Sequence, residues 1–115
     1  MSYVDGFVIA VPTANKEAYR ELATKLAPIF KENGALRVVE CWADDVSDGE
    51  VTSFPMAVKC EPHETVAFAW IEWPSREARD AGNKKVFEDP RLHQDELPFD
   101  GKRMIFGGFE PILDH

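Results

Sequence analysis

Two stretches of the chain, 3-YVDGFVIAV-11 and 66-VAFAWIEW-73, are apolar at nearly every position instead of at alternate ones. Successive side chains of a strand point to opposite faces, so a strand with one face in water alternates apolar and polar residues. Strands that are apolar on both parities must lie centrally in a sheet that is covered on both sides. That requirement restricts the fold most, because a chain of 115 residues can build one core of ordinary size and not two. The expectation is a single domain over residues 1–115.

The cover for one face can be found between the strands. Pro12 ends the first strand, and residues 16–33 place Tyr19, Leu22, Ala23, Leu26 and Phe30 at helical spacing among Lys, Glu and Arg. Thr13 and Asn15 are the expected caps, and Asn33-Gly34 the stop. Pro28 removes one backbone hydrogen bond and crowds the preceding turn, which predicts a kink or break near Ala27. A second helix opens at Pro74-Ser75. Ser75 can cap it, Glu77 suits its positive end, and Ala78, Ala81, Gly82 and Val86 form a narrow stripe that allows close approach to a sheet. Asp89-Pro90 stops it, and the polar linker 91–102 follows.

Two further strands complete the pattern. One is 35-ALRVVECWA-43; the other lies within 102-KRMIFGGFEPILDH-115, where Gly107-Gly108 interrupts an apolar run. The order is β-α-β-β-α-β, the split arrangement of an α+β, ferredoxin-like fold with an antiparallel sheet, strand order 4-1-3-2 and both helices on one face. The opposite face is then left bare and apolar. A second copy packed sheet on sheet would cover it, so the pattern predicts a homodimer of the dimeric α+β barrel type. Gly107 and Gly108 would clear both faces of the sheet at one level. Phe7 is expected opposite Gly108, with an aromatic ring over the exposed backbone; a β-bulge accounts for the pair equally well.

The 22-residue connection 44–65 is long for a hairpin, and 52-TSFPMAVKC-60 is apolar enough to pack as a short helix or an added strand. Its acidic run 44-DDVSDGE-50 fails as a calcium loop, because Val46 stands where an oxygen ligand is needed. Cys60 and His63 form one C-x-x-H pair without the second pair of a closed zinc site. No metal or cofactor is expected. Cys41 and Cys60 read as buried thiols in a reducing compartment.

Charge narrows the partners. Thirteen basic residues against 21 acidic ones give a net charge of −8, which opposes binding to nucleic acid and to anionic membrane surfaces. No run of about 20 apolar residues occurs, and the first residues lack a signal-peptide pattern, so a cytoplasmic location is expected.

Three stretches, 39-VECWADDVSDGEVTSFPMAVKCEP-62, 69-AWIEWPSREARDA-81 and 97-LPFDGKRMIFGGFEPI-112, resemble the uncharacterised bacterial YbaA family over nearly the whole chain. The resemblance implies a ferredoxin-like dimeric α+β barrel and brings no established activity and no catalytic residues. More distantly, 75-SREARDAGNKKVFEDP-90 looks like the second helix of other dimeric α+β barrels, which include cofactor-independent monooxygenases, haem enzymes and ligand binders.

Polar groups on apolar strands are the candidates for chemistry. Alternation puts Val38, Glu40, Trp42 and Asp44 on one face of the second strand, and Phe68, Trp70 and Glu72 on one face of the third. If those faces coincide, two carboxylates and two tryptophans share a surface, and a buried carboxylate could act as acid or base. The alternative is that Glu40 and Glu72 are rim residues, or pair with Arg37, Arg103 or another base across the sheet. Candidate acids and bases are therefore Glu40, Glu72, His63 and His93, and candidate ligand-binding residues Trp42, Trp70 and Arg103. Three functions follow: binding of a small apolar or aromatic metabolite with the 44–65 loop as lid, an enzyme of the monooxygenase or isomerase kind, or a protein-interaction module.

Overall fold

The computed structural model describes residues 2–115. Strands β1 (Tyr3–Pro12), β2 (Arg37–Trp42), β3 (Glu64–Trp73) and β4 (Ile105–Phe109) form one antiparallel sheet in the order β2-β3-β1-β4. Helices α1 (Lys16–Glu32) and α3 (Arg76–Glu88) supply the crossovers, and a one-turn helix α2 (Phe54–Ala57) lies in the long connection. This is the expected α+β, ferredoxin-like topology, with the two doubly apolar strands adjacent at the centre.

Helix boundaries follow local chemistry. Ser75 accepts a hydrogen bond from the Ala78 amide at 3.1 Å, capping α3. Ser53 does the same for α2 through Met56. Asn15 stands at the start of α1 without capping it; its side-chain amide donates instead to the Pro98 carbonyl at 2.9 Å and so ties the C-terminal linker to the helix. Pro28 does not break α1, which runs through it to Glu32. Both Pro28 and Thr24, whose carbonyl loses its partner, are exposed, so water can replace the missing bond. Gly34 turns the chain out of the helix at φ 108°.

Pairing sorts the side chains onto two faces. Tyr3, Asp5, Phe7, Ile9 and Val11 of β1 share one face with Trp73, Ile71, Ala69, Ala67 and Thr65 of β3, and the helices pack there. Trp73 is fully buried against Phe30 of α1, with Ala35 and Ile71 around it. Gly82 of α3 lets that ring in: a Cβ at Gly82 would lie 2.7 Å from its Cη2 and 2.6 Å from the Asn33 carbonyl oxygen. Beside it, Asp5 is buried yet fully engaged. It accepts from Trp73 Nε1 at 3.0 Å and from Asn83 at 3.2 Å, and its Oδ1 is 2.9 Å from Arg79 Nη2. This cluster anchors α3 to the sheet.

The other face carries Val4, Gly6, Val8 and Ala10 beside Val66, Phe68, Trp70 and Glu72. The 44–65 connection covers only one end of it, where Val58 packs on Val8, Ala10 and Val66. Its apolar segment is thus a short helix, of the two forms expected, and Phe54 meets Phe68 edge to face.

The two glycines of β4 clear opposite faces of the sheet as expected, but without the bulge and without Phe7 opposite Gly108. Pairing with β1 is continuous from Ile105 to Phe109, so there is no bulge, and Phe7 lies opposite Phe106, two residues from the expected Gly108. Gly107 faces Gly6, and the Phe109 ring lies over both, 3.5–3.6 Å from where their Cβ atoms would be. Gly108 faces the helices, under Tyr3 and Arg79, whose tips would be 2.5 and 2.7 Å from an added Cβ. It makes room within the chain. The thiols differ as well: Cys41 is exposed, because it projects from an edge strand onto the open face, and Cys60 is half-buried.

Candidate ligand-binding site

The register of β2 separates the expected cluster. Arg37, Val39 and Cys41 pair with Glu72, Trp70 and Phe68, whereas Val38, Glu40 and Trp42 pair with Ile71, Ala69 and Ala67. Glu40 and Trp42 therefore face the helices, and Trp70 and Glu72 face the open side; the two carboxylates and two tryptophans do not share a surface. Alternation within each strand was correct, but the phase between strands depends on the turn chemistry of the long connection and cannot be read from either strand alone.

On the helix side lies a cavity of about 480 Å³ between α1, the sheet and the linker that follows α3. Leu22, Leu26, Phe30, Ile71, Phe99 and Met104 give its apolar walls. Its polar feature is a hydrogen bond of 2.5 Å from the Tyr19 hydroxyl to Glu40 Oε1. Tyr19 is buried, held between the Trp42 and Phe99 rings at 6.4 and 5.8 Å. Glu40 is exposed as a residue of the edge strand, but its carboxyl end meets Tyr19 in a half-buried position.

Burial raises the Glu40 carboxyl above the ordinary carboxylate range, and the Tyr19 bond only partly offsets it. Burial, and then the neighbouring Glu40 charge, push the Tyr19 phenol up, so Tyr19 remains a donor. The same two residues line a smaller groove of about 290 Å³ with Lys16, Arg20 and Trp42, and so border both it and the cavity. Lys16 sits over the Trp42 ring at 5.7 Å.

The remaining candidates are scattered. His93 lines the cavity rim, with Nε2 2.9 Å from the Phe87 carbonyl oxygen. His63 is exposed and lies 3.7 Å from Glu61. Glu72 accepts from Trp70 Nε1 at 2.9 Å and lies 3.6 Å from Arg37, the rim pairing weighed above for it. Trp70 lines a groove of about 650 Å³ on the open face, with Val4, Phe68, Ile105 and Phe109.

Arg103 is committed to the fold. It grips the Glu64 carboxylate with two bonds of 2.7 Å, reaches Asp100 at 3.0 Å, and donates to the Lys59 carbonyl. The Glu64 side chain is 2% exposed, and the Arg103 bonds hold its carboxyl down at about 2. Arg103 is thus held within the fold, and it does not line the cavity beside Tyr19 and Glu40. Its bonds also engage Glu64 of the Glu61, His63, Glu64 set, the metal-ligand-like grouping among the described residues.

Tyr19, Phe99 and Asp5 carried no function in the sequence reading. Tyr19 belongs to the apolar stripe of α1, and its bond to Glu40, 21 residues away, has no counterpart in the sequence pattern.

Comparison with known proteins places this geometry. A family model described as "Protein of unknown function (DUF1428)" matches residues 2–101. "Uncharacterized protein YbaA" of Escherichia coli strain K12 is 64% identical over 99% of both chains. Among solved structures, a mutant of MhuD with two manganese protoporphyrin IX molecules bound per active site aligns at TM-score 0.62 and 18% identity, covering 98% of this chain and 97% of that one. A dimeric ferredoxin-like protein from an uncultured marine organism aligns at TM-score 0.57 and 11% identity, covering 94% and 91%. At such identities the structural likeness establishes the fold alone. No helix among the described residues is long and apolar enough to cross a membrane. The match across residues 2–101 and the near-full-length identity to YbaA show that the chain belongs to the DUF1428 family, the family of YbaA.

Proposed function

We propose that the protein binds a small apolar or aromatic molecule in the cavity between α1 and the sheet, with the Tyr19–Glu40 pair as its polar anchor. One observation carries this reading: a cavity of about 480 Å³ with mostly apolar walls and a convergent acid–phenol pair among them, its other ionisable lining groups, His93 and Asp95, being bonded to Phe87 and Lys25, a composition that orients small ligands. Thermal-shift titration with neutral bicyclic aromatics tests it. Binding should raise the melting temperature of the parent and not of Ala23→Phe, which fills the cavity from α1. Equal shifts in both proteins would refute the reading.

A second reading, proton transfer with Glu40 as acid or base, is favoured by the raised proton affinity of its carboxyl beside a hydroxyl donor. Loss of turnover in Glu40→Gln with ligand binding intact would support it, and activity in that variant would remove it.

Assembly is part of the same proposal. The open face exposes Phe68, Ile105, Phe109 and Leu113 around Trp70, an apolar surface of the kind that marks protein contact. A second copy of the chain is the proposed occupant, and the dimeric ferredoxin-like protein of like fold supports that choice. Light scattering at micromolar concentration should give twice the monomer mass for the parent and the monomer for Trp70→Glu. A parent that is monomeric would end the dimer proposal.

A further inference from the structure

The charges around the cavity point to the chemical class of the ligand. Its ionisable lining residues are Tyr19, Glu40, His93 and Asp95, and neither Lys nor Arg contributes to it. Asp95 is taken by Lys25 at 2.6 Å, and His93 by the Phe87 carbonyl. Glu40 forms no ion pair among the described residues. Its Oε1 accepts from Tyr19, and no described residue donates to Oε2. A carboxylate with one unengaged oxygen, beside the aromatic rings of Tyr19 and Phe99, is an incomplete charge site on the cavity side: it offers acceptors and π faces there and no cation, while Lys16 and Arg20 line the neighbouring groove and Lys16 already covers the Trp42 ring.

We infer that the molecule completing this site is an apolar amine, its ammonium group bonded to Glu40 and its hydrocarbon body in the cavity, and that apolar carboxylates are excluded. The inference rests on the binding reading above. Tyr19 acts as a positioning residue, holding Oε1 so that Oε2 is presented to the ligand. A neutral alcohol of the same shape could donate one hydrogen bond but would leave the carboxylate charge uncompensated, and an anion would face Glu40 with no counter-charge in the lining.

Isothermal titration of the full chain with 1-naphthylmethylamine, 1-naphthalenemethanol and 1-naphthoate separates these cases, since one bicyclic body carries three head groups. The expected order is amine, then alcohol, with naphthoate weakest. The amine should bind roughly tenfold or more tighter than the alcohol, as for charge-assisted against neutral hydrogen bonds. Glu40→Gln should erase the difference between amine and alcohol while the alcohol still binds. Tyr19→Phe should reduce the amine's advantage without removing alcohol binding. If the alcohol binds as tightly as the amine, or the amine's advantage survives in Glu40→Gln, the inference fails and the cavity reading stands. If none of the three binds, both fail together.

Discussion

Replacing Gly82 with alanine should destabilise this protein, although the same exchange in most helix interiors stabilises. Alanine gains about 1 kcal/mol over glycine in helix propensity. Against that stand three contacts below 3 Å, two to ring atoms of Trp73 and one to the Asn33 backbone carbonyl at the end of α1. Neither neighbour can yield cheaply: Trp73 has no exposed surface and its indole N–H is bonded to Asp5 at 3.0 Å. Overpacking of a closed core costs roughly 1–3 kcal/mol, and two rigid neighbours place this site near about 3. The net is about 2 kcal/mol of destabilisation, or roughly 8–10 °C of melting temperature for a domain of this size. Far-UV circular dichroism melts and urea titrations measure it. Trp73→Phe in the Gly82→Ala background removes the ring atoms in conflict, so the double variant should lose less than the sum of the two single ones. A Gly82→Ala protein that melts at or above the parent, or a cycle without coupling, would refute the account.

Other consequences are open to simpler assays. Gly108→Val should lower stability by about 1–2 kcal/mol in urea titrations, because it displaces Tyr3 and Arg79, and should leave the assembly state unchanged in light scattering. The Glu64 carboxyl is depressed to about 2 by Arg103, so the pair's stabilisation is present above the unfolded value near 4.5 and is lost as pH falls through about 2. Arg103→Met should therefore be less stable than the parent at neutral pH, the gap closing in acid denaturation profiles taken toward pH 2. Glu40 has the opposite sign: its raised carboxyl binds a proton more tightly in the folded state, so its contribution declines as pH rises above the unfolded value. Glu40→Gln should then gain stability relative to the parent between acid and neutral pH, and a constant difference across that range would contradict the burial argument.

Much of the fold was legible because each local signal agreed with the global one. Two strands apolar on both parities demanded central positions, and they are β1 and β3; Ser75 caps the helix it was expected to cap; Gly82 does admit close packing. What was lost was relative phase. Nothing in VVECW or AFAWIEW says which parity of one strand faces which parity of the other, and a one-residue shift sends Glu40 to the helices and Glu72 to the open face. The same lack of register misplaced Phe7 against Gly108. Long-range partners were equally hidden: Arg103 lies 39 residues from Glu64, and Asp5 lies 74 from Arg79, separations across which sequence carries no distance information. Asn15 shows the limit of a local rule, since a capping residue type serves instead as a tether to Pro98.

That division of faces makes the two proposed properties separable. The cavity is walled by α1, the linker and the residues Phe7, Ile9, Val38, Glu40, Ala69 and Ile71, whereas the open surface is built from the opposite parity of the same strands, with Trp70 and Phe109 prominent. Because neighbouring residues of one strand serve different surfaces, exchanges one position apart should have unrelated effects. Trp70→Glu places a charge on the open face and should abolish pairing while 1-naphthylmethylamine still binds within about threefold of the parent. Ala23→Phe occupies the cavity from α1 and should abolish binding while the mass in light scattering stays that of the parent. Loss of both properties in both variants, with each protein still folded by circular dichroism, would mean that the cavity takes its shape from the partner subunit, and the site would then belong to the assembly instead of to the single chain.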